Sequence, residues 1–143
     1  MSMQMNIYKT ARKAAGLTQE KAAEYLHLSV ESLYLYEKGE RTPDNNVVVA
    51  MAELYNFQLL CYQHLRECDK SNCLPKIECK SLSQAALMLL RANNNINQNT
   101  DKFLQIAYDN EVSEDEIEDW QELLKLIDEL REACLTVKYC KYK

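Results

Sequence analysis

The sequence is short of glycine and proline, with only two of each among its 143 residues. A β-fold of this size needs many tight turns, and these two residue types supply much of the backbone geometry that such turns require. Helices need mainly caps, so the shortage favours an all-α protein. Since 47% of the residues are hydrophobic, the chain can build one or two small helical cores.

Long apolar runs are missing as well. No uninterrupted run exceeds six residues, as at 47–52, whereas a membrane-spanning helix needs about 20. The first residues, MSMQMN, lack the charged region and apolar core of a signal peptide. We therefore expect a cytoplasmic protein without membrane contact, in which the six irregularly spaced cysteines are free thiols.

The groups that catalysis or metal binding needs are also scarce. The two histidines, His27 and His64, lie far apart and belong to no recognised nucleophile motif, and no glycine loop is present to hold a phosphate. Cys61, His64 and Cys68 share one helix face ahead of Cys73, but zinc sites usually contain tighter pairs such as C-x-x-C. We interpret these side chains as packing residues and expect no enzyme, no metal and no cofactor.

An excess of positive charge, typical of nucleic-acid-binding proteins, is absent too. The net charge is −5, with six basic and seven acidic side chains in residues 1–57 and seven basic and twelve acidic ones in residues 81–143. The acidity is therefore concentrated in the C-terminal part. Any contact with DNA phosphates depends on a few placed cations and should be weak away from a specific site.

The most informative pattern present is residues 18–39, TQEKAAEYLHLSVESLYLYEKG. Thr18 and Ser29 can each cap a short helix, and Gly39 can end the second one. Apolar residues recur at helical spacing in both segments, at Ala22, Ala23, Leu26, Leu33 and Tyr36. Two short helices joined by a tight turn form a helix-turn-helix, whose second helix enters the major groove of DNA.

Further helices are predicted on both sides of this motif, at 5–15, 44–55 and 58–68. Together with the two helices of the motif, they give five helices in a predicted domain over residues 1–68. Residues 69–80, DKSNCLPKIECK, contain Pro75 and polar turn formers without helical periodicity, so they are interpreted as a linker.

Residues 81–143 are predicted to form a helical C-terminal subdomain. A capping box at Ser81 and Gln84 begins a helix that is expected to end near Asn93, before an asparagine-rich turn over 93–99 and a short helix over 100–108.

A second capping box, at Ser113 and Glu116, begins a long amphipathic helix. Its apolar residues recur with heptad spacing. Leu124 and Leu126 widen this seam, so it can pack on the two preceding helices as well as on a second copy of itself. We expect the helix to hold two copies of the chain together as a homodimer. The predicted dimerisation residues are Trp120, Leu123, Ile127, Leu130 and Cys134.

The motif has a detailed spacing: Gly16-Leu17-Thr18-Gln19-Glu20-x-x-Ala23, then Leu28-Ser29-x-x-Ser32-Leu33-x-x-Tyr36-Glu37-x-Gly39-x-Arg41-x-Pro43. Over residues 5–57 it resembles the Cro/repressor type of helix-turn-helix, the xenobiotic-response-element class common in phages and bacteria. The resemblance implies a transcriptional regulator that binds double-stranded DNA. It also implies that base-facing side chains are Val30, Glu31, Tyr34 and Leu35, and that phosphate contacts come from Gln19, Ser29, Lys38, Arg41 and Arg12.

The chain departs from this family at two points. Where the family often has glycine in the turn, this chain has His27, so a left-handed residue there is strained. The base-facing side chains include no Arg, Lys, Asn or Gln, the residue types that commonly read bases. An alternative therefore stays open, in which a repressor-like adaptor or antitoxin binds a partner protein through the exposed face of this helix.

Overall fold

The computed structural model describes residues 6–142, which contain eight α-helices and no β-strand. The all-α prediction is confirmed. None of the described helices is long and apolar enough to cross a membrane. The helices are α1 (Ile7–Ala14), α2 (Gln19–Tyr25), α3 (Val30–Lys38), α4 (Asn45–Leu54), α5 (Leu59–Cys68), α6 (Leu82–Gln98), α7 (Thr100–Ala107) and α8 (Ile117–Lys138).

The chain divides between Pro75 and Lys76 into two compact units. We call the part up to Pro75 unit 1 and the part from Lys76 unit 2. Unit 1 contains α1 to α5, and unit 2 contains α6 to α8. The division falls within the segment that the sequence predicts as a linker.

Unit 1 follows closely from its local sequence. Side chains of Asn6, Thr18, Ser29 and Asp44 each accept a backbone N–H in the first turn of α1, α2, α3 and α4, respectively. Such caps satisfy donors that a helix start leaves unpaired. The predicted α1 extends to Met5, which lies outside the described residues. The shared core of these helices is formed by Tyr8, Ala11, Ala22, Ala23, Leu33, Tyr36, Val48, Met51, Ala52, Tyr55 and Leu60.

The turn between α2 and α3 has the strained conformation that the resemblance implies. His27 has a φ of 56°, in the left-handed region that glycine adopts more readily. The backbone N–H of Leu28 donates to the carbonyl of Ala23 over 2.9 Å and closes this turn. Gly39, with a φ of 80°, ends α3 as predicted.

His64 connects α5 to two other helices. The Tyr8 hydroxyl lies 2.7 Å from His64 Nδ1, and His64 Nε2 lies 3.0 Å from Asn45 Oδ1. Because the amide oxygen can only accept, Nε2 carries the proton and Nδ1 accepts from the tyrosine. Burial lowers the pKa of His64, which suits this neutral ring. In residues 6–142 no group of three or more His, Cys, Asp or Glu residues is placed to hold a metal ion.

In unit 2, α8 packs along α6, and α7 packs against both. Both predicted capping boxes are formed, at Ser81 with Gln84 and at Ser113 with Glu116. A 3₁₀ turn, Glu114–Glu116, leads into α8. The chain after α8 returns to the start of α6, where backbone hydrogen bonds of 3.0 and 3.2 Å join Lys141 to Lys80 and Leu82.

The predicted end of α6 near Asn93 is wrong, because the helix continues to Gln98. Ala85, Ala92 and Ile96 keep one helix face turned toward the interior across the asparagine-rich segment. Asparagine in a helix interior costs less than about 1 kcal/mol relative to alanine, so continued packing outweighs its turn preference.

The first part of the predicted linker is folded rather than extended. The Asp69 carboxylate accepts the backbone N–H groups of Ser71, Cys73 and Leu74 at 2.8 to 3.2 Å. The Tyr62 hydroxyl donates to the carbonyl of Pro75. These hydrogen bonds tie residues 69–75 to the end of α5 within unit 1.

Candidate nucleic-acid interface

Helix α3 presents one face to solvent. Val30 and Tyr34 are 42% and 47% exposed, and Glu31 is exposed beside them. Leu35 lies at the edge of this face and is half-buried. The opposite face is held in the core by Leu33 and Tyr36, which are 0% and 5% exposed. The buried side thus fixes α3, while the first two turns of its outer side stay open to a ligand.

Two of the predicted phosphate-binding cations lie near the end of α3. The Lys38 ammonium is 5.7 Å from the centre of the Tyr34 ring and 2.8 Å from the Glu40 carboxylate. The hydrogen bond to the Glu40 carboxylate raises the pKa of Lys38. The Arg41 guanidinium is exposed and lies 5.6 Å from the centre of the Tyr36 ring.

A small cleft of 240 Å³ adjoins this face. It is lined by Lys9, Gln19, Tyr34, Glu37 and Lys38. Lys9 is absent from the predicted phosphate contacts, although its exposed position on α1 brings a second ammonium group to the cleft. The sequence indicates that Lys9 is exposed, because this residue belongs to the polar side of α1. Only the fold shows that this side lies next to α3.

Arg12, predicted to bind a phosphate, is instead buried, with 6% of its surface exposed. Its Nε and Nη2 donate to the two carboxylate oxygens of Glu37 at 2.5 and 3.0 Å, and its Nη1 donates to the Leu17 carbonyl at 2.7 Å. The hydrogen bond to Glu37 raises the pKa of Arg12 further. The Glu37 carboxylate and the Leu17 carbonyl thus accept hydrogen bonds from all three guanidinium nitrogens. Arg12 therefore has a structural role and is not accessible to DNA.

Two other predicted phosphate contacts already have partners within the chain. Gln19 Nε2 donates to Glu37 Oε2 at 2.8 Å. The Ser29 hydroxyl accepts the backbone N–H of Ser32 at 3.0 Å and donates to the Ser32 hydroxyl at 2.9 Å. Gln19 therefore orients Glu37 from the side of α2, and Ser29 is occupied as the cap of α3.

The fold buries some residues of the predicted dimerisation seam of α8 and leaves others exposed. Leu123 is 1% exposed and belongs to the interior of unit 2, and Leu130 is half-buried. Ile127 is 41% exposed, Cys134 is exposed and Trp120 is partly exposed. Burial leaves no surface of Leu123 for a second chain, so this residue does not fit its predicted role.

Comparison with known proteins concerns unit 1. A family model described as helix-turn-helix matches residues 9–60. The HTH-type transcriptional regulator ImmR of Bacillus subtilis (strain 168) is 42% identical over 48 residues. That match covers 34% of this chain and 38% of ImmR, so it spans well under half of either protein. No solved structure matches the chain.

Proposed function

We propose that the chain is a DNA-binding transcriptional regulator of the Cro/repressor type that recognises a specific site as a homodimer. The helix-turn-helix family match over residues 9–60 supports this proposal. The observation that carries this proposal is the open face of α3 with exposed cations close to it. Lys9 and Lys38 line the cleft beside Tyr34, and Arg41 follows α3.

Base recognition in this proposal uses the outer side chains of α3. Val30 can contact the methyl group of thymine, and the Glu31 carboxylate can accept the amino group of cytosine. Tyr34 is placed between Val30 and Lys38, one turn from each, where its hydroxyl can reach a base edge or a phosphate. Leu35, at the half-buried edge, adds apolar contact.

Affinity in this proposal comes from Lys9, Lys38 and Arg41, which act on the phosphate backbone. Few cations and a net charge of −5 mean that binding to unrelated sequences is weak. Because phosphate contacts strengthen specific and nonspecific binding alike, discrimination between sites depends on the base contacts of α3.

Dimerisation is supported by the apolar side chains that unit 2 leaves exposed, among them Leu124 and Ile127 at 41% each. A two-fold dimer places two α3 helices in successive major grooves, about 34 Å apart, on a near-palindromic site.

A salt titration of DNA binding tests the phosphate contacts. The probe is a duplex from the region upstream of the gene, with fluorescence anisotropy as the readout. Lys9→Ala and Lys38→Ala should each weaken binding and reduce the slope of log affinity against log salt by about 0.9. The matched control is Lys125→Ala, which removes an exposed lysine from α8. No binding at about 50 mM salt, or a slope that neither variant changes, contradicts the proposal.

The exposed apolar side chains of α3 favour one alternative function. Val30, Tyr34 and Leu35 also suit a protein partner, as in a repressor-like adaptor or antitoxin. Tyr34→Arg separates the two functions because it adds a cation at the centre of the face. A DNA-binding face gains nonspecific affinity for duplexes from this change, whereas an adaptor still does not bind DNA.

A further inference from the structure

Helix α8 has a second apolar stripe that faces solvent. Ile117, Leu124 and Ile127 are 45%, 41% and 41% exposed, although inward residues such as Leu123 and Ala133 are 1% exposed. We define the α8 stripe by residues spaced alternately three and four apart, which are Ile117, Trp120, Leu124, Ile127, Arg131, Cys134 and Lys138. This spacing is that of the a and d positions of a heptad repeat, so the stripe has the pattern of a helix-pairing seam.

Charge is distributed unevenly along this stripe. The end near Ile117 follows the acidic turn Glu114–Glu116, and Glu118 and Asp119 lie in the first turn of α8. The charged residues at the other end of the stripe are basic, Arg131 and Lys138. Arg131 also pairs with Asp128 on its own helix at 3.2 Å. The stripe is thus apolar in its middle and begins beside an acidic turn. Its only charged members, Arg131 and Lys138, lie toward its end, where the neighbours outside the stripe include Asp128, Glu129 and Glu132.

This arrangement determines which orientation a second copy can take. In a parallel pair, identical positions meet, so Arg131 faces Arg131 and Lys138 faces Lys138 across an apolar seam, which like charges disfavour. In an antiparallel pair, the basic end of each helix meets the acidic start of the other. We propose that the α8 stripe binds the same stripe of a second copy in antiparallel orientation. This inference rests on the homodimer of the proposed function and specifies its interface.

In this antiparallel pair, each a position of one helix lies opposite a d position of the other. A two-fold axis level with the midpoint between residues 125 and 126 then sets the register. Leu124 then packs on the partner's Ile127, and Ile117 packs on the partner's Cys134. Trp120 receives the partner's Arg131, whose guanidinium stacks on an indole ring more favourably than on an aliphatic side chain. Each contact occurs twice because the two-fold axis makes the interface isologous.

The first test measures dimer dissociation of the full chain by sedimentation equilibrium. Ile127→Glu places a charge in the central layer and should weaken the dimer at least about tenfold, the effect of losing a central apolar contact. Leu90→Glu is the matched control, because Leu90 is a 64% exposed leucine on α6. Circular dichroism checks that both variants keep their helix content. If Leu90→Glu dissociates the dimer and Ile127→Glu does not, the α8 stripe is not the interface.

Cysteine cross-linking tests the orientation. The six cysteines, all within residues 6–142, form no disulfide there, and Cys68, Cys73 and Cys134 are exposed. The background is therefore Cys68→Ser with Cys73→Ser. In the antiparallel pair the two Cys134 residues are 17 residues apart along the helices, about 25 Å, far beyond the roughly 4.4 to 6.8 Å between Cα atoms that a disulfide allows.

Mild oxidation of this background should give no Cys134–Cys134 dimer, whereas adding Ile117→Cys should give a covalent dimer that links residues 117 and 134 in peptide mapping. A Cys134–Cys134 disulfide in the absence of Ile117→Cys indicates parallel helices and overturns the orientation.

Charge reversal tests the ends of the stripe. Lys138→Glu should increase the dissociation constant of the dimer, and raising the salt concentration should reduce the difference from the unmodified chain. Lys125→Glu makes the same charge change on an exposed position of α8 outside the stripe and should have a smaller effect. Equal effects of the two variants contradict the antiparallel charge pairing.

These outcomes separate the inference from the proposed function. If the chain is monomeric at all concentrations and still binds single half-sites, the dimer proposal is wrong and the DNA-binding proposal stands. A dimer with the expected cross-link that binds no DNA keeps the α8 interface and overturns the regulatory role.

Discussion

The two units of the chain bury their apolar side chains to different extents. Unit 1 encloses large residues such as Leu33, Met51 and Leu60, each 0% exposed. Among the described residues of unit 2, five of the eight buried side chains are small, namely Ala85, Ala92, Ala133, Thr136 and Cys140. Among the described residues, five large hydrophobic side chains are exposed in unit 1 and ten in unit 2.

This difference fits the separate roles that we propose for the two units. Unit 1 completes its own interior, including a buried ion pair, so its exposed α3 face is free to bind a ligand without a partner for stability. Unit 2 leaves ten large hydrophobic side chains exposed, and three of them belong to the α8 stripe that we propose as the interface. The following experiments test this contrast, beginning with the largest expected effect.

Breaking the buried ion pair should cause the largest loss of stability in unit 1. Arg12→Ala leaves the Glu37 carboxylate buried and unpaired, and we expect a loss of about 3 to 5 kcal/mol in the free energy of unfolding. Arg12→Met with Glu37→Leu should recover much of this loss, since apolar groups of similar size need no counter-charge. Urea denaturation followed by circular dichroism measures both. An Arg12→Ala variant as stable as the unmodified chain shows that the pair does not hold α1 to α3.

Equivalent leucine truncations should separate the units. Leu33→Ala in unit 1 should destabilise the fold by about 3 kcal/mol because it removes a fully buried side chain. Leu124→Ala in unit 2 should cost well under 1 kcal/mol in a dilute monomer and weaken the dimer instead. Trp120 is the single tryptophan and lies in unit 2, so its fluorescence follows unit 2 while circular dichroism follows both units. Equal losses at the two positions contradict the contrast in burial.

The buried His64 should make unit 1 sensitive to acid. Its pKa is lowered by burial, whereas an unfolded histidine titrates near about 6.5. The unfolded chain therefore binds more protons, and the stability present above that pH is lost as the pH falls, by at most about 1.4 kcal/mol per pH unit. His64→Gln should flatten this dependence between pH 7 and 5, as measured by urea denaturation at each pH. A pH profile of His64→Gln identical to that of the unmodified chain refutes this role of His64.

Relief of the strained turn should give the smallest effect. His27→Gly removes the penalty of a left-handed histidine and should stabilise unit 1 by about 0.5 to 1 kcal/mol, without changing DNA affinity. Gly39→Ala makes the opposite change at a φ of 80° and should destabilise by a similar amount, since no atom lies close enough to clash with the added Cβ. A loss of stability in His27→Gly indicates that the imidazole contributes contacts of its own.

Local features of the sequence predict most of unit 1. Caps at Thr18, Ser29 and Asp44 and the glycine at Gly39 act within one helical turn, so each can be identified without knowledge of the fold. The role of Arg12 cannot be identified in this way, because it depends on Glu37, 25 residues away in the sequence. An arginine on a short helix has the same local pattern whether it binds DNA or a buried carboxylate.

Unit 2 is less predictable for a related reason. The apolar residues of α8 occupy two adjacent stripes, and only packing against α6 decides that Leu123 turns inward while Leu124 and Ile127 stay outside. The candidate interface shows the same limit, since Lys9 reaches the cleft beside Tyr34 only through the packing of α1 near α3. Periodicity identifies a helix and its apolar residues, but the neighbouring helices determine which of them are exposed.

The most direct test of the account is selection of binding sites by the full chain from a library of random DNA duplexes at about 150 mM salt, where nonspecific binding is weak. The account predicts enrichment of one near-palindromic sequence, with half-sites about 10 base pairs apart, centre to centre. It also predicts that enrichment is lost when Val30 and Tyr34 are both replaced by alanine. A library that remains random after repeated rounds with the folded protein contradicts the assignment of α3 as a DNA-reading helix.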